Sequence, residues 1–367
     1  MSVIDAVSAT AAGLVVAING SETELSWRWV RDHGEDQESF DPTTKQRRVY
    51  AINPEPPQPA MRAELSVIDG TPIVCIIWPE SPEKTWISQS TITDLLDPRP
   101  PSARACWHRP QETAVTKGNV SDVLTSDAAL SAWVADIADF GFGVLGGFQG
   151  GHTEVTALAR RIGYPQSTIF GTTWDLASDI DAHDDTAYTQ TFLAPHTDGT
   201  YAHEAPGLQM FCCTERSGTG GESVIVDGFA IAETLRTEHA EDFEVLTSVS
   251  VPGHYIEPGV ELRTSRPAIR LDDHGNIVQI SMNNYDRSPM HLPSGDMDAF
   301  YRAYGQLHEF ANDRSRWMSI RLEPGDVLIN DNWRVLHGRE AYTGGRRFVG
   351  CYLNHSDLES RMRTLGV

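Results

Sequence analysis

Residues 327–339 read VLINDNWRVLHGR, an apolar run, a polar turn and a second short run that carries a histidine. Arg346 follows at the start of another strand-like run. An arginine inside a protein needs an anionic partner, and its planar guanidinium suits a carboxylate. A metal-binding histidine followed shortly by such an arginine suits an organic acid that binds the metal at one end and the arginine at the other. The segment therefore predicts a metal ligand, His337, and an anion clamp, Arg346.

Such a site needs a second histidine and a carboxylate on one face. The pattern His-x-Asp/Glu occurs often by chance in such an acidic chain. It is found six times, at His33/Glu35, His152/Glu154, His183/Asp185, His196/Asp198, His239/Glu241 and His355/Asp357. Only His196-Thr197-Asp198 follows a strand-like run, 188–193, and precedes a bend rich in glycine and proline. Residues two apart on an extended segment point the same way. We therefore expect His196, Asp198 and His337 to share one metal ion.

Composition excludes several classes of protein. The chain has 367 residues and a formal net charge of −22, which repels nucleic acids and anionic membranes. No stretch approaches the roughly 18 apolar residues of a membrane-spanning helix. Residues 1–15 contain no lysine or arginine, unlike a secretory or mitochondrial presequence. Five scattered cysteines indicate a reducing compartment. We expect a cytoplasmic protein.

Two domains are expected. Residues 1–96 are β-rich, with strands at 14–19, 25–30 and 73–78, and a proline-rich linker spans 97–112. Residues 113–367 mix helices with many short strands, among them 189–193 and 245–251. The pattern is typical of a mainly β protein with flanking helices, a double-sheet jelly roll.

Four stretches together resemble a known family. They are TWDLASDIDAHDDTAYTQTFLAPHTDGTYAHEAPGLQMF (173–211), GTGGESVIVDGF (218–229), NNYDR (283–287) and GDVLINDNWRVLHGREAYTGGRRFVGCYL (325–353). They resemble the γ-butyrobetaine and trimethyllysine hydroxylases, within the taurine-dioxygenase-like Fe(II)/2-oxoglutarate oxygenases. The resemblance implies a double-stranded β-helix catalytic domain at 113–367, a small N-terminal domain and a homodimer.

The same resemblance implies a reaction and its cofactors. An unactivated C–H bond of a small trimethylammonium compound would be hydroxylated with Fe(II), 2-oxoglutarate and O₂. His196, Asp198 and His337 take the positions of the iron ligands. Arg346 takes that of the clamp on the 2-oxoglutarate carboxylate, and Ser223 that of a hydroxyl residue beside it. A plain strand-end serine is the alternative for Ser223.

An aromatic cage for the trimethylammonium group is also implied, because a quaternary cation cannot donate hydrogen bonds and is held by ring faces. The matching positions are Phe170, Trp174, Tyr188 and Tyr352. Without the resemblance, these four would be interpreted as core aromatics. Phe170 departs from the family pattern, which has tyrosine there in the γ-butyrobetaine enzymes.

The anionic end of the substrate would meet Asn283, and Arg287 would suit a carboxylate or phosphonate, although a surface ion pair is an equal alternative. A second asparagine of the γ-butyrobetaine enzymes is missing from 181–185, which read DAHDD. Candidate substrates are γ-butyrobetaine, trimethyllysine and 2-(trimethylammonio)ethylphosphonate. The lack of a presequence favours a bacterial setting.

The N-terminal domain departs from the family in its metal ligands. Gly34, Asp36 and Ser39 stand where the family has zinc-binding cysteines, and the later histidine is absent from 78–86. Because zinc needs such ligands, we expect no structural zinc. Two rival interpretations of the whole chain are a non-catalytic jelly-roll sensor of quaternary amines and a hydrolytic metal site.

Overall fold

The computed structural model describes residues 3–48, 58–79, 84–96, 106–179 and 186–367. The chain divides into two compact units, Met1–Ala103 and Arg104–Val367. Two predicted features fall outside the described residues: positions 97–105 of the linker and the loop 181–185. The domain limits 1–96 and 113–367 stay a prediction.

In its described residues, the first unit contains small antiparallel sheets and two helices. In chain order its elements are β1 (Ile4–Ala9), β2 (Gly13–Ile18), β3 (Ser21–Ser26), α1 (Trp27–Asp32), β4 (Phe40–Asp41), β5 (Gln46–Arg47), β6 (Arg62–Ile68), β7 (Thr71–Ile77), β8 (Lys84–Ser88) and α2 (Gln89–Leu96). The strands pair as β1-β2-β3, β4-β5 and β6-β7-β8. Trp27, Val74 and Trp78 belong to its buried core. The predicted β-rich character of this region is confirmed.

The predicted strand 25–30 is wrong beyond its second residue. The Ser26 side chain accepts a hydrogen bond from the Trp29 N–H at 3.2 Å, which starts helix α1. Trp27 and Val30 are three residues apart and are the buried residues of that helix. Helical spacing therefore outweighed the strand preference of the aromatic and β-branched residues.

The second unit is built from two main sheets, two hairpins and seven helices in the part of the chain that the structure describes. Its elements are β9 (Gly118–Asn119), α3 (Val120–Thr125), α4 (Asp127–Phe140), β10 (Phe142–Gly146), α5 (His152–Ala159), β11 (Trp174–Ala177), β12 (Leu193–His196), β13 (Leu208–Arg216), β14 (Ser223–Asp227), α6 (Gly228–Glu238), α7 (Ala240–Ser248), β15 (Ser250–Glu257), β16 (Val260–Pro267), β17 (Ile269–Leu271), β18 (Ile277–Ile280), α8 (Ser294–Asn312), β19 (Met318–Ile320), β20 (Val327–Asp331), β21 (Val335–Arg339), β22 (Arg346–Leu353) and α9 (His355–Leu365).

One main sheet has six strands in the order β11-β22-β13-β20-β10-β9, and the other has four in the order β12-β21-β14-β19. Apart from the short parallel contact between β9 and β10, all their pairs are antiparallel. Phe142, Ile225, Leu328, Val335 and Phe348, drawn from both sheets, pack in one buried cluster. The predicted mainly β fold with flanking helices, a double-stranded β-helix, is confirmed.

Alternation along the strands decides which side chains enter the space between the sheets. On β14, Ser223 and Ile225 face that space, while Val224 and Val226 face the helices on the other side. On β22, Arg346 and Tyr352 face inward, whereas the odd-numbered residues between them face outward. Each site strand thus carries chemistry on one face and core on the other.

Helices cover the outer faces of both sheets. Leu130 and Trp133 of α4 pack in one cluster with Met210 and Val327 of the six-stranded sheet. Phe300 of α8 packs in another with residues of α6 and the four-stranded sheet. No helix in the described ranges is long and apolar enough to cross a membrane.

Two predicted strands of this unit are wrong in part. Within 189–193 only Leu193 is in a strand, and a 3₁₀ turn covers Thr186–Tyr188. The run 245–251 mostly continues α7, whose buried residues Asp242 and Leu246 are four apart. The β-branched valines at 245, 249 and 251 favoured the strand prediction, but burial at helical spacing decides the structure here.

Candidate metal centre and adjoining cavity

His196, Asp198 and His337 come together at the edge of the four-stranded sheet. His196 is the last residue of β12 and lies opposite His337 of β21 in the antiparallel register. Asp198 Oδ1 lies 3.3 Å from His196 Nε2 and 3.6 Å from His337 Nε2. One donor atom from each residue falls within 4.8 Å of the others. No other such cluster of metal-binding side chains occurs among the described residues.

The other described His-x-Asp/Glu pairs do not gather a third ligand. His152 Nε2 instead lies 3.1 Å from Asp175 Oδ2, and His355 Nε2 lies 3.5 Å from Asp331 Oδ2. His183 and Asp185 lie outside the described residues. Among the six patterns, the sequence context favoured His196/Asp198, and this is the pair that lies beside a third metal-binding side chain.

The strand β12 ends at His196, so Asp198 lies just beyond the paired part of the sheet. Asn332, in the turn between β20 and β21, holds Asp198 in place instead. Its Oδ1 accepts a hydrogen bond from the Asp198 N–H at 2.7 Å, and its Nδ2 donates to the carbonyl oxygens of Asp198 (3.0 Å) and Pro206 (2.8 Å). Asn332 is buried and was missed by sequence reasoning.

The protonation of the three residues suits a divalent metal. His196 Nδ1 donates to the Ala194 carbonyl at 2.8 Å, so in the neutral imidazole the lone pair on Nε2 is available to a metal ion. Burial lowers the pKa of His337 to about 4, which leaves its imidazole neutral at pH 7. Burial alone would raise the pKa of Asp198, but the neighbouring imidazoles and Tyr352 outweigh it and hold that pKa well below its usual range.

Two imidazoles and one anionic carboxylate form the donor set of a mononuclear iron(II) site with open positions. The Asp198 carboxylate is oriented by hydrogen bonds to its Oδ2, from the Tyr352 hydroxyl at 2.8 Å and Gln209 Nε2 at 2.6 Å. The residues present therefore fit Fe(II), and the cavity beside them leaves room for further ligands.

Arg346 provides the anion-binding end of the cavity. Its side chain is buried, its Nε has no hydrogen-bond partner, and its Nη2 lies 3.5 Å from Ser223 Oγ. Burial and the nearby Arg339 lower the pKa of Arg346 to about 9, so the guanidinium is charged at pH 7. No described carboxylate lies within ion-pair distance of it. A buried cation of this kind fits the far carboxylate of 2-oxoglutarate.

Arg339 is a second buried arginine on the cavity wall, and sequence reasoning gave it no role. It follows His337 by two residues on β21, so both side chains face the cavity. Its guanidinium donates to the carbonyl oxygens of Ala187 at 2.9 Å and Thr191 at 2.8 Å. Arg339 therefore ties the segment that carries Tyr188 to the strand that carries His337.

All four predicted cage residues line this cavity, and so do further aromatic side chains. The lining aromatics are Phe170, Trp174, Tyr188, Tyr201, Phe211, Tyr285 and Tyr352. The Trp174 ring centroid lies 5.7 Å from that of Tyr352 and 5.4 Å from that of Phe211. Gly350 lies opposite Trp174 in the sheet, and a Cβ there would overlap the indole ring. A glycine on β22 thus makes room for Trp174.

The two residues predicted for the anionic end of a substrate lie in different places. Asn283 lines the cavity and donates from Nδ2 to Asp286 Oδ2 at 2.8 Å. Arg287 is not among the lining residues. Its guanidinium carbon lies 5.8 and 5.7 Å from the ring centroids of Tyr301 and Tyr304 on α8, and its Nε donates to Asn284. Asp286, which sequence reasoning did not single out, lines the cavity instead.

Replacement of Asn332 by alanine is expected to weaken metal binding by about 10- to 100-fold, the usual effect of losing an outer hydrogen-bond partner of a ligand. The Asp198 backbone loses both contacts that fix its position. Anaerobic Fe(II) titration followed by intrinsic fluorescence measures the change. Asn312→Ala, at the half-buried C-terminal end of α8, is the control. Equal metal affinity of the Asn332 and Asn312 variants would contradict the role of Asn332.

Comparisons with known proteins agree with this geometry. The family model described as taurine catabolism dioxygenase TauD, TfdA family matches residues 107–352. The trimethyllysine dioxygenase of Meyerozyma guilliermondii is 31% identical over 376 residues, covering 95% of this chain and 92% of that protein. The human gamma-butyrobetaine dioxygenase is 32% identical over 270 residues, covering 71% and 69%. These relatives, from a yeast and a mammal, give no support to the predicted bacterial setting.

A solved structure of a candidate alpha-ketoglutarate-dependent taurine dioxygenase from Burkholderia xenovorans shares the fold. Its TM-score is 0.50 at 12% identity, and the match covers 66% of this chain and 91% of that one. The chain therefore belongs to the TauD, TfdA dioxygenase family, as the resemblance implied, and is an Fe(II)- and 2-oxoglutarate-dependent dioxygenase.

Proposed function

We propose that this dioxygenase hydroxylates a C–H bond of a small trimethylammonium compound. The observation that carries the proposal is the wall of aromatic rings directly beside the triad His196, Asp198 and His337, in one cavity. A quaternary ammonium group is attracted to ring faces and offers no hydrogen-bond donor, so an aromatic wall suits it better than polar side chains.

Each end of the cavity has a separate role. His196, Asp198 and His337 would hold Fe(II), and Arg346 with Ser223 would hold the far carboxylate of 2-oxoglutarate. Bound iron with 2-oxoglutarate and O₂ supplies the oxidising power for C–H hydroxylation. The protein contributes orientation, because small misplacements of the reacting carbon cost much of the rate.

Trp174, Tyr188, Tyr352 and Phe170 would hold the trimethylammonium group. Tyr352 has a second task, because its hydroxyl donates to Asp198 while its ring lies against Trp174. The position of the substrate is thereby linked to the orientation of a metal ligand. Tyr352 is therefore the residue at which cage and metal centre meet.

Trimethyllysine and γ-butyrobetaine are the two best-supported candidate substrates, since relatives over most of the chain act on them by name. The phosphonate is less well supported, because Arg287, which would have suited it, does not line the cavity. A homodimer and a cytoplasmic location stay predictions of the resemblance and of the composition.

The test is the conversion of 2-oxoglutarate to succinate with each candidate substrate in turn. We expect at least one quaternary amine to stimulate succinate formation, with a matching hydroxylated product by mass spectrometry. The corresponding primary amine, which lacks the three methyl groups, should stimulate far less. Failure of all the quaternary amines would contradict the proposal. The rival sensor is tested by anaerobic Fe(II) and 2-oxoglutarate, since the expected visible charge-transfer band would be absent from it.

A further inference from the structure

The segment after β18 places a carboxylate in the wall of the substrate cavity. Asp286 lines this cavity together with Asn283 and Tyr285, whereas the neighbouring Arg287 points onto α8. Negative charge is therefore built into the same space that receives the substrate.

Hydrogen bonds fix the position of this carboxylate. Asp286 Oδ2 accepts from Asn283 Nδ2 at 2.8 Å and from the Thr200 hydroxyl at 3.3 Å. Asn283 is in turn held by the Tyr285 N–H, which donates to its Oδ1 at 2.8 Å. An ionised carboxylate can accept about four hydrogen bonds, so one held in this way can also accept from a ligand.

The basic groups of the cavity lie on other elements. Among the described lining residues the arginines are Arg339 on β21 and Arg346 on β22, and Arg339 is bonded to backbone carbonyl groups. A substrate whose far end is only a carboxylate would meet the like charge of Asp286 in this part of the cavity. A substrate with an ammonium group beside its carboxylate would find opposite charge there.

We propose that Asp286 binds a primary ammonium group of the substrate and so selects trimethylammonium compounds with an α-amino acid end over simple betaines. The inference rests on the proposed function and deepens it. Asn283 is left to donate to the adjacent carboxylate of the same α-amino acid. The selected class has two cationic ends, a quaternary one at the aromatic rings and a primary one at Asp286.

The test compares two compounds that differ only in the α-amino group, Nε-trimethyllysine and 6-(trimethylammonio)hexanoate. A charged hydrogen bond discriminates by about 10- to 100-fold. We expect kcat/KM for trimethyllysine to exceed that for the hexanoate by about this factor in the wild type. Asp286→Asn should reduce this preference to within about threefold, mainly by lowering kcat/KM for trimethyllysine.

The readout is the ratio of the two efficiencies, so a loss of folded protein, which lowers both values together, leaves that ratio unchanged. Anaerobic calorimetry with the same two compounds gives the preference in binding, independent of turnover. Equal efficiency of the two compounds in the wild type, or an unchanged ratio in Asp286→Asn, would overturn the role of Asp286 alone. If no quaternary amine binds or couples in the wild type, the proposed function fails and this inference with it.

Discussion

Replacement of His337 by alanine is expected to remove stoichiometric Fe(II) binding and to lower 2-oxoglutarate turnover by more than about 100-fold. This effect is larger than that of losing a residue that only hydrogen-bonds to a metal ligand. The physical reason is that His337 supplies one of the donor atoms within 4.8 Å, and no other described histidine is placed to replace it. Metal analysis after anaerobic loading and desalting measures binding separately from activity.

His274→Ala is the matched control, because His274 is an exposed histidine in the turn between β17 and β18. It should retain full iron content and turnover. An iron content in His337→Ala equal to that of the control would show that the triad is not the metal site. Activity retained in His337→Ala would favour neither the oxygenase nor the hydrolytic interpretation of the metal site.

Replacement of Arg346 by methionine is expected to raise the KM for 2-oxoglutarate by about 10- to 100-fold, the value of a hydrogen-bonded charge. The side chain is buried and has no carboxylate partner among the described residues, so its charge is available to the cosubstrate. Substrate-saturated assays with varied 2-oxoglutarate measure the effect. The thermal midpoint should not fall, because a buried cation without an anion is replaced by an apolar chain of similar length.

Arg347→Met offers a control on the next residue of the same strand. Arg347 points to the other face and pairs with Asp179 at 2.7 Å near the surface. It should leave the KM for 2-oxoglutarate unchanged. An equal rise of KM in both variants would mean that the strand was disturbed and that Arg346 is not the clamp.

The sequence was most informative where residue type, spacing and strand periodicity agreed. His337 and Arg346 lie on runs that the sequence predicts as strands, and both enter the cavity as expected. Asp198 joins the two histidines as expected, but its neighbours could not be predicted. Its position depends on Asn332, 134 residues away, and no local pattern shows such a contact.

Other features depend on contacts that only the folded chain creates. Arg339 could have been found, because it is two residues from His337 on one strand and so shares its face. Asp286 and Arg287 are adjacent and both charged, and only the packing of Arg287 on α8 shows which of them enters the cavity. The valines around 249 favoured a strand, but burial against α8 and β17 makes the segment helical.

The alternation of site residues and core residues along the strands also determines which mutations this enzyme should tolerate. A shift of one residue in β14, β21 or β22 would exchange the inward and outward faces of the strand. Single-residue insertions in those strands should therefore abolish both stable folding and activity. Segment 283–288, by contrast, is a loop, and a loop tolerates substitution far better than a paired strand. In a laboratory selection for activity on a new quaternary amine, mutations should therefore appear first in this loop, while the residues of the strands that carry the metal ligands stay unchanged.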